Sequence, residues 1–402
     1  MNILFLTIGR IENVEDRSIY LDLLRTFRDQ GHIVYCVSPN ERRTGRETSY
    51  TEESGLHVLR VKIGNIKKCN IIEKGLSTVL IESQYKAAVQ KYLSDVKFDI
   101  VLYSTPPITL AGVIQYVKKR DGAKSYLMLK DIFPQNAVDI GMMSKKGVKG
   151  FIYRYFRKKE KQLYAISDKI GCMSQANCEY VLRNNPEIAA DKVEICPNAV
   201  DVVDMRILDA EKERIRAKYG IPNDRKVFVY GGNLGRPQGI PFLIDCLKSQ
   251  TENPQAYFLI VGAGTEYGKI AVWIEEEKPK NVRLIKSLPK EDYDQLVAGC
   301  DVGMVFLDHR FTIPNFPSRI LSYMQAGLPI LACTDPNTDV GRVITEGGFG
   351  WWCESNDAEV FSRTVQEICR DTEPRGTRAF AYLEENYSTE KVYRIISVSV
   401  ER

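Results

Sequence analysis

The strongest constraint on the fold is a rhythm that the chain runs through twice. Short, nearly continuous apolar runs alternate with longer stretches of helical periodicity. In the first half the runs are Ile3–Ile8, Ile33–Val37, Ile100–Ser104, Ser125–Leu129, Lys169–Ser174 and Val193–Cys196. In the second half they are Val227–Tyr230, Tyr257–Val261, Val282–Ile285, Val302–Leu307, Ile330–Cys333 and Gly350–Cys353. Runs without polar alternation are what strands buried on both faces require, as in parallel sheets covered by helices. After the first run, Ile19, Leu23, Leu24 and Phe27 recur at helical spacing. The pattern predicts an α/β chain of two Rossmann-like, doubly wound domains facing a cleft and joined near Asn198–Asp204. The expected boundaries are 1–198 for the first domain and 199–376 for the second. Residues 377–402 are expected to form a C-terminal helix that crosses back, because Tyr387, Val392, Ile395 and Ile396 fall near helical spacing.

Composition excludes several classes. A net charge of +4 in 402 residues gives no argument for nucleic acid. No run of apolar residues is long enough to span a membrane. No basic segment precedes the first strand, so no signal peptide is expected. The ten cysteines are scattered without a CxxC pair, which reads as buried thiols in a reducing cytoplasm. His32, His57 and His309 lack metal-ligand spacing, and no metal is expected.

In doubly wound folds ligands sit beyond the C-terminal ends of the strands, so the turns there carry the functional reading. The stretch Phe311–Asp335 is the most informative. Pro314 and Pro317 break what precedes them, and Ser318 is placed to cap or open a helix. Ile320, Leu321 and Met324 share a side of that helix. Gly327 ends it and Pro329 prevents it resuming. Arg319 in the first turn opposes the helix dipole, which a bound anion would offset. An ordinary helix start with a solvated arginine is the plainer alternative.

Two glycine turns join this rim. Tyr230-Gly231-Gly232-Asn233-Leu234-Gly235-Arg236-Pro237-Gln238-Gly239 follows a strand, as does Val261-Gly262-Ala263-Gly264. Glycines let backbone approach a phosphate, and Arg236 supplies charge. Neither turn is a Walker loop or a GxGxxG motif. With Ser287-Leu288-Pro289 and Asn315–Arg319, these turns predict a nucleotide or nucleotide-sugar site.

The first domain offers the reacting groups. Lys130 and Asp131 lie just past a strand, and Phe133-Pro134 forces an irregular loop there. Ser104 and Thr105, at the mouth of the preceding strand, are expected to hold sugar oxygens. Gly9 and Arg10 complete that rim, while Asp99, Asp168 and Asp301 sit at strand starts and read as structural. The segment Ser144–Lys161 carries eight Lys or Arg against one acid, with Phe151, Ile152, Tyr155 and Phe156 interleaved. A helix with one basic and one aromatic side suits an anionic membrane surface, with Lys149, Arg154, Arg157 and Lys158 as contacts. The competing reading docks the aromatic side on the chain's own domain.

On these residues the chain resembles the family 4 glycosyltransferases of the GT-B fold, essentially end to end. It is most similar to the bacterial branch that builds O-antigen and capsular polysaccharide and includes N-acetyl-L-fucosamine transferases. The resemblance rests on Gly31-His32, Lys130-Asp131-Ile132-Phe133-Pro134, Pro197-Asn198-Ala199-Val200, Gly232-Asn233-Leu234-Gly235-Arg236, Val261-Gly262-Ala263-Gly264, and Phe316-Pro317-Ser318-Arg319 with Tyr323 and Gly327-Leu328-Pro329. It implies a metal-independent, retaining transfer from a nucleotide sugar, usually UDP-linked, to a polyprenyl-diphosphate-linked saccharide. It also implies a cytoplasmic protein held peripherally on the inner face of the membrane. Donor contacts are expected from Gly9, Gly232, Asn233, Arg236, Gln238, Gly262, Gly264, Leu288, Asn315, Ser318, Arg319, Ser322 and Tyr323. The reaction is assigned to Asp131 with Lys130.

The chain departs from the family where many members carry two glutamates eight positions apart. Those positions are Pro314 and Ser322 here, and a common lysine is Gln238. Arg236 and Arg319 are the expected substitutes for the missing charge. Two other classes compete with this reading. A nucleotide-sugar epimerase of the same fold needs several acid/base groups around the sugar, and would isomerise donor alone. A non-catalytic two-lobed binding protein would bind donor without releasing UDP.

Overall fold

The structure, a computed structural model, describes residues 1–66, 69 and 71–401. The chain divides into two compact units, Met1–Asp201 with Thr389–Arg402, and Val202–Ser388. The return segment therefore begins at Thr389, and residues 377–388, expected in it, belong to the second unit.

The first unit holds strands β1 (Asn2–Leu6), β2 (Ile33–Glu41), β3 (Ser49–Glu53), β4 (Leu56–Ile63), β5 (Ile100–Ser104), β6 (Lys124–Leu129), β7 (Lys169–Cys172) and β8 (Val193–Ile195). They form one sheet in the order β3-β4-β2-β1-β5-β6-β7-β8. All pairings are parallel except β3 with β4. This edge hairpin was not expected. It turns at Ser54 and Gly55, with φ of 48° and 75°, as a two-residue hairpin loop of matching twist requires. The strand β4 also carries Arg60 and Lys62 among its apolar residues, which breaks the continuous apolar run. The helix Leu21–Asp29 packs Leu23, Leu24 and Phe27 into the core beside Ile3, Phe5 and Val34. The returning helix Thr389–Glu401 joins that core through Val392 and Ile396. Tyr393 stacks edge-on against Phe27 at 4.9 Å and meets His32 Nε2 at 3.0 Å.

The second unit holds β9 (Lys226–Asn233), β10 (Ala256–Ala263), β11 (Val282–Ile285), β12 (Val302–Phe306), β13 (Ile330–Thr334) and β14 (Gly350–Glu354). Their order is β11-β10-β9-β12-β13-β14, all parallel. Order reverses beside β9, so the mouth of β9 is a topological switch point. The helix Ala358–Arg370 shows how such a cover forms. Asp357 caps it by accepting the N–H groups of Glu359 and Val360, a contribution of about 1 kcal/mol. Phe361, Val365 and Ile368 then enter the core at i, i+4, i+7 spacing. At the opposite end of the sheet Asp301 pairs with Arg216 and accepts the Val227 N–H at 2.7 Å. Burial would raise its pKa, but Lys212 and Arg216 outweigh that and hold it below the usual carboxylate value. Eight of the ten cysteines are buried and all are free.

Candidate functional site

In the second unit the site begins where β9 ends. Gly232 has φ +118°, a conformation side chains disfavour, and a Cβ there would lie 3.9 Å from the Arg319 guanidinium. A Cβ at Gly262 on β10 would meet the Gly232 carbonyl, so the two glycine turns lie against each other. Arg319 opens the helix Arg319–Gln325 and lays its guanidinium 4.6 Å from the Tyr230 ring centroid. The Nη1 of Arg319 is buried without a hydrogen-bond partner. Buried guanidinium nitrogens are costly to leave unpaired, and this one is able to bond an acceptor supplied at the mouth of β9.

The surrounding residues build that mouth. Gln238 Oε1 accepts from Asn233 Nδ2 and from the Gly235 N–H, both at 3.2 Å, and so folds the loop. Arg236 is exposed, 3.9 Å from Glu266. Gly264 is exposed and Leu288 half-buried, on the loops after β10 and β11. Ser318 occupies the N-cap position in helical conformation, as one of the two expected placements, and its side chain makes no capping bond. Ser322 is half-buried. Tyr323, expected to touch donor, is fully buried. Its hydroxyl accepts the Gly231 N–H at 3.0 Å and donates to the Met304 carbonyl at 3.1 Å. It is a positioning residue for β9, and Tyr293, which no motif pointed to, adjoins it and Arg319.

Asp335, also missed, anchors the loop that leads into Arg319. It is fully buried after β13 and accepts the N–H groups of Asn337 and Thr338. Asn337 Nδ2 donates to the Phe311 carbonyl at 2.6 Å, and Thr338 Oγ1 to that of Asn315 at 2.5 Å. Asn315 itself is half-buried with its Nδ2 unpaired.

In the first unit the mouths of β5 and β6 adjoin. Asp131 is half-buried, and its Oδ1 accepts from Asn136 Nδ2 at 2.7 Å. Burial pushes its pKa up to about 6, against the smaller lowering effect of the Asn136 bond. Thr105, expected to hold sugar, is buried instead. Its hydroxyl accepts the N–H groups of Lys130 and Asp131 at 3.1 and 3.2 Å and donates to the Asp131 carbonyl at 3.0 Å. That three-way bond fixes the backbone under Asp131. Ser104 is likewise buried, with Tyr20 beside it. Lys130 departs from its expected role as well. Its ammonium turns inward to the carbonyls of Cys196 and Pro197, at 3.4 and 3.1 Å. Tyr20, missed for want of a motif, adjoins Ser104 and feels the Asp131 carboxylate; burial chiefly raises its pKa. Gly9 closes a turn on Thr7 Oγ1 at 2.9 Å.

The basic segment forms the helix Gly147–Ile166. Its aromatic side is exposed except at Phe156, which is half-buried. Val148, Phe151, Ile152 and Tyr155 are 81, 69, 48 and 41% exposed, and their spacing puts them on one face. Lys149, Arg154 and Lys158 are exposed beside that stripe, with the Arg154 guanidinium over the Phe151 ring. Arg157 is the exception. It pairs with buried Glu160 and donates to Asn185 Oδ1 at 2.7 Å, so it faces the body. Phe133, from the Asp131 loop, meets Phe156 of this helix edge-on at 5.1 Å. Among the described residues no helix is long and apolar enough to cross a membrane, and no cluster of side chains could hold a metal ion.

Comparison with known proteins assigns both halves. Residues 18–204 match the family Glycosyltransferase Family 4, and residues 211–379 match Glycosyl transferases group 1. Over 339 residues the chain is 26% identical to a probable glycosyltransferase, WbjE, of Pseudomonas aeruginosa, covering 81% of this chain and 80% of that one. It is 21% identical to the putative colanic acid biosynthesis glycosyl transferase WcaI of Escherichia coli K12, covering 61% and 60%. Among solved structures, Anabaena Alr3699/HepE in complex with UDP-glucose superposes with a TM-score of 0.70 at 15% identity, covering 100% of this chain and 99% of that one. With a family 4 first half, a group 1 second half and two Rossmann-like domains, the chain is a glycosyltransferase of the GT-B fold.

Proposed function

We propose that the protein transfers a sugar, with retention at the anomeric carbon, from a UDP-linked donor to a polyprenyl-diphosphate-linked saccharide during synthesis of a surface polysaccharide. An N-acetylated hexosamine, as in the N-acetyl-L-fucosamine transferases that the motifs resemble, is the donor class. The observation that carries this reading is the unpaired, buried Nη1 of Arg319 at the glycine mouth of β9. A diphosphate oxygen is the acceptor that fits a planar guanidinium there. Arg319 and Arg236 then supply the positive charge for the departing UDP, and Gly232 leaves room for it, so the reaction needs no metal. The solved relative bound to UDP-glucose supports a UDP donor.

Asp131 orients the transferred sugar or assists the acceptor hydroxyl, burial having raised its carboxyl pKa to about 6. Lys130 and Thr105 support it from beneath. The exposed stripe Val148–Tyr155 with Lys149, Arg154 and Lys158 seats the enzyme on the anionic inner face of the cytoplasmic membrane, where a lipid-linked acceptor resides. The test is UDP release by purified protein from a panel of UDP-N-acetylhexosamines. Release is expected only when membrane extract carrying lipid-linked saccharides is added. No release from any donor, with acceptor present, overturns the reading.

A further inference from the structure

Asn136 reaches the Asp131 carboxylate from the first turn of the short helix Gln135–Asp139. The orientation of its amide is fixed by chemistry, because a backbone N–H can only donate. The Ala137 N–H donates to one end of that amide at 2.6 Å, so this end is Oδ1. The other end, Nδ2, then has to face Asp131, and it donates to the carboxylate Oδ1 at 2.7 Å. The Asn136 backbone is tied to the same loop, its N–H donating to the Ile132 carbonyl at 3.1 Å. One amide is thus locked between the start of a helix and the reacting carboxylate.

The surroundings give that bond its weight. No cation among the described residues offsets the burial of the Asp131 charge; the Asn136 amide and then the Ile132 N–H do so. Lys130, next in the chain, turns its ammonium to the carbonyls of Cys196 and Pro197. Tyr20 is the titratable neighbour from the loop after β1, and burial keeps its phenol protonated. The acid on the short helix, Asp139, accepts from Gln135 Nε2 at 2.6 Å. A carboxylate has about four acceptor directions, so these donors leave capacity for a substrate. A carboxylate that meets a reacting sugar has to be held within about 0.5 Å, which a freely rotating side chain does not achieve.

We propose that Asn136 is a positioning residue for the transfer, its amide fixing the rotamer of Asp131 and stabilising the ionised carboxylate that meets the sugar or the acceptor hydroxyl. The inference rests on the transferase reading above.

The competing role is structural, a side chain that only opens the helix Gln135–Asp139. Asn136→Asp separates the two. It still accepts the Ala137 N–H and suits a helix start, but it offers Asp131 an acceptor and a like charge in place of a donor. A structural residue would tolerate that change. As a positioning residue, Asn136→Asp is expected to lower kcat about 10–100-fold, with donor KM within about twofold of wild type and the melting temperature near it. Asn136→Leu keeps the volume and removes the donor. It is expected to lower kcat in the same range and to move the acid limb of the kcat profile up by about one pH unit. Carboxyl-carbon NMR on the full chain, with the Asp131 signal assigned by its absence in Asp131→Asn, is expected to show the same upward move in Asn136→Leu with no substrate present. Wild-type kcat in Asn136→Asp overturns the inference, as does an Asp131 titration unmoved in Asn136→Leu. Wild type that turns over no donor with acceptor present counts against the transferase reading instead, and the carboxyl titration still decides whether Asn136 holds Asp131.

Discussion

The guanidinium of Arg319 sits over the ring of Tyr230, 4.6 Å from its centroid, while its Nη1 finds no partner in the protein. The aromatic face holds the cation at the mouth of β9, and the unpaired nitrogen keeps its hydrogen-bonding capacity for the proposed ligand. Arg319→Ala should raise KM for the donor about 30–100-fold, the loss of a charge-assisted bond of about 2–3 kcal/mol. Arg319→Lys should recover little, because an ammonium cannot stack or bond in two directions from one plane. Calorimetry with UDP checks both, and wild-type affinity in Arg319→Ala would remove this residue from the donor site.

The carboxyl of Asp131 gives a pH signature. Its pKa lies near 6 in the folded chain, above the ordinary value of 3.8, mainly through burial. Turnover should therefore fall as pH drops through 6, and Asp131→Asn should lower kcat far more than donor affinity. Stability runs the other way. A raised folded-state pKa means the folded protein holds the proton more tightly, so this group's contribution is full below about pH 4 and is lost as pH rises through 6. Above that, ionised Asp131 costs on the order of 2–3 kcal/mol. Asp131→Asn should melt higher than wild type at pH 8, and this advantage should vanish by pH 4.

Thr105 acts through Asp131, since its hydroxyl is used entirely by the backbone of residues 130 and 131. Thr105→Val should cost about 1–3 kcal/mol of stability by leaving buried polar groups unpaired, and should lower kcat with little change in donor KM. Thr105→Ser should restore both. Thermal melts and steady-state kinetics on the pair make the test, and a valine variant with wild-type kcat would show the loop needs no such clamp.

Much of this was legible in the sequence, for a physical reason. Strands buried on both faces must be nearly continuous apolar runs, so most could be read directly. The hairpin β3–β4 escaped because β3, at the sheet edge, is largely polar and exposed. Glycine turns and Arg319 were visible because backbone approach and charge restrict residue choice. The direction of side chains was not visible. Lys130 and Asp131 are adjacent, yet one turns to the Cys196 and Pro197 carbonyls and the other stays at the strand mouth. Tyr323 matched a motif but serves the interior. Asp335 and Tyr20 had no spacing to announce them, because their partners are distant in sequence.

The helix Gly147–Ile166 separates two kinds of arginine. Lys149, Arg154 and Lys158 are exposed, and each is worth about 1 kcal/mol near an anionic surface. Replacing all three with Gln should weaken binding to phosphatidylserine vesicles by about two orders of magnitude while leaving the melting temperature unchanged. Arg157→Gln should instead destabilise the fold by about 3–5 kcal/mol, since it strands buried Glu160. Vesicle sedimentation and thermal melts distinguish the two, and equal vesicle binding by the triple variant would refute the membrane surface.

The edge-on contact between Phe133 and Phe156 couples the loop of the reacting carboxylate to the helix with the exposed apolar stripe. The two cannot shift independently without parting those rings. On the proposed function, a lipid surface that tilts the helix would press through those rings on the loop that carries Asp131, so bilayer seating would be felt at the strand mouth.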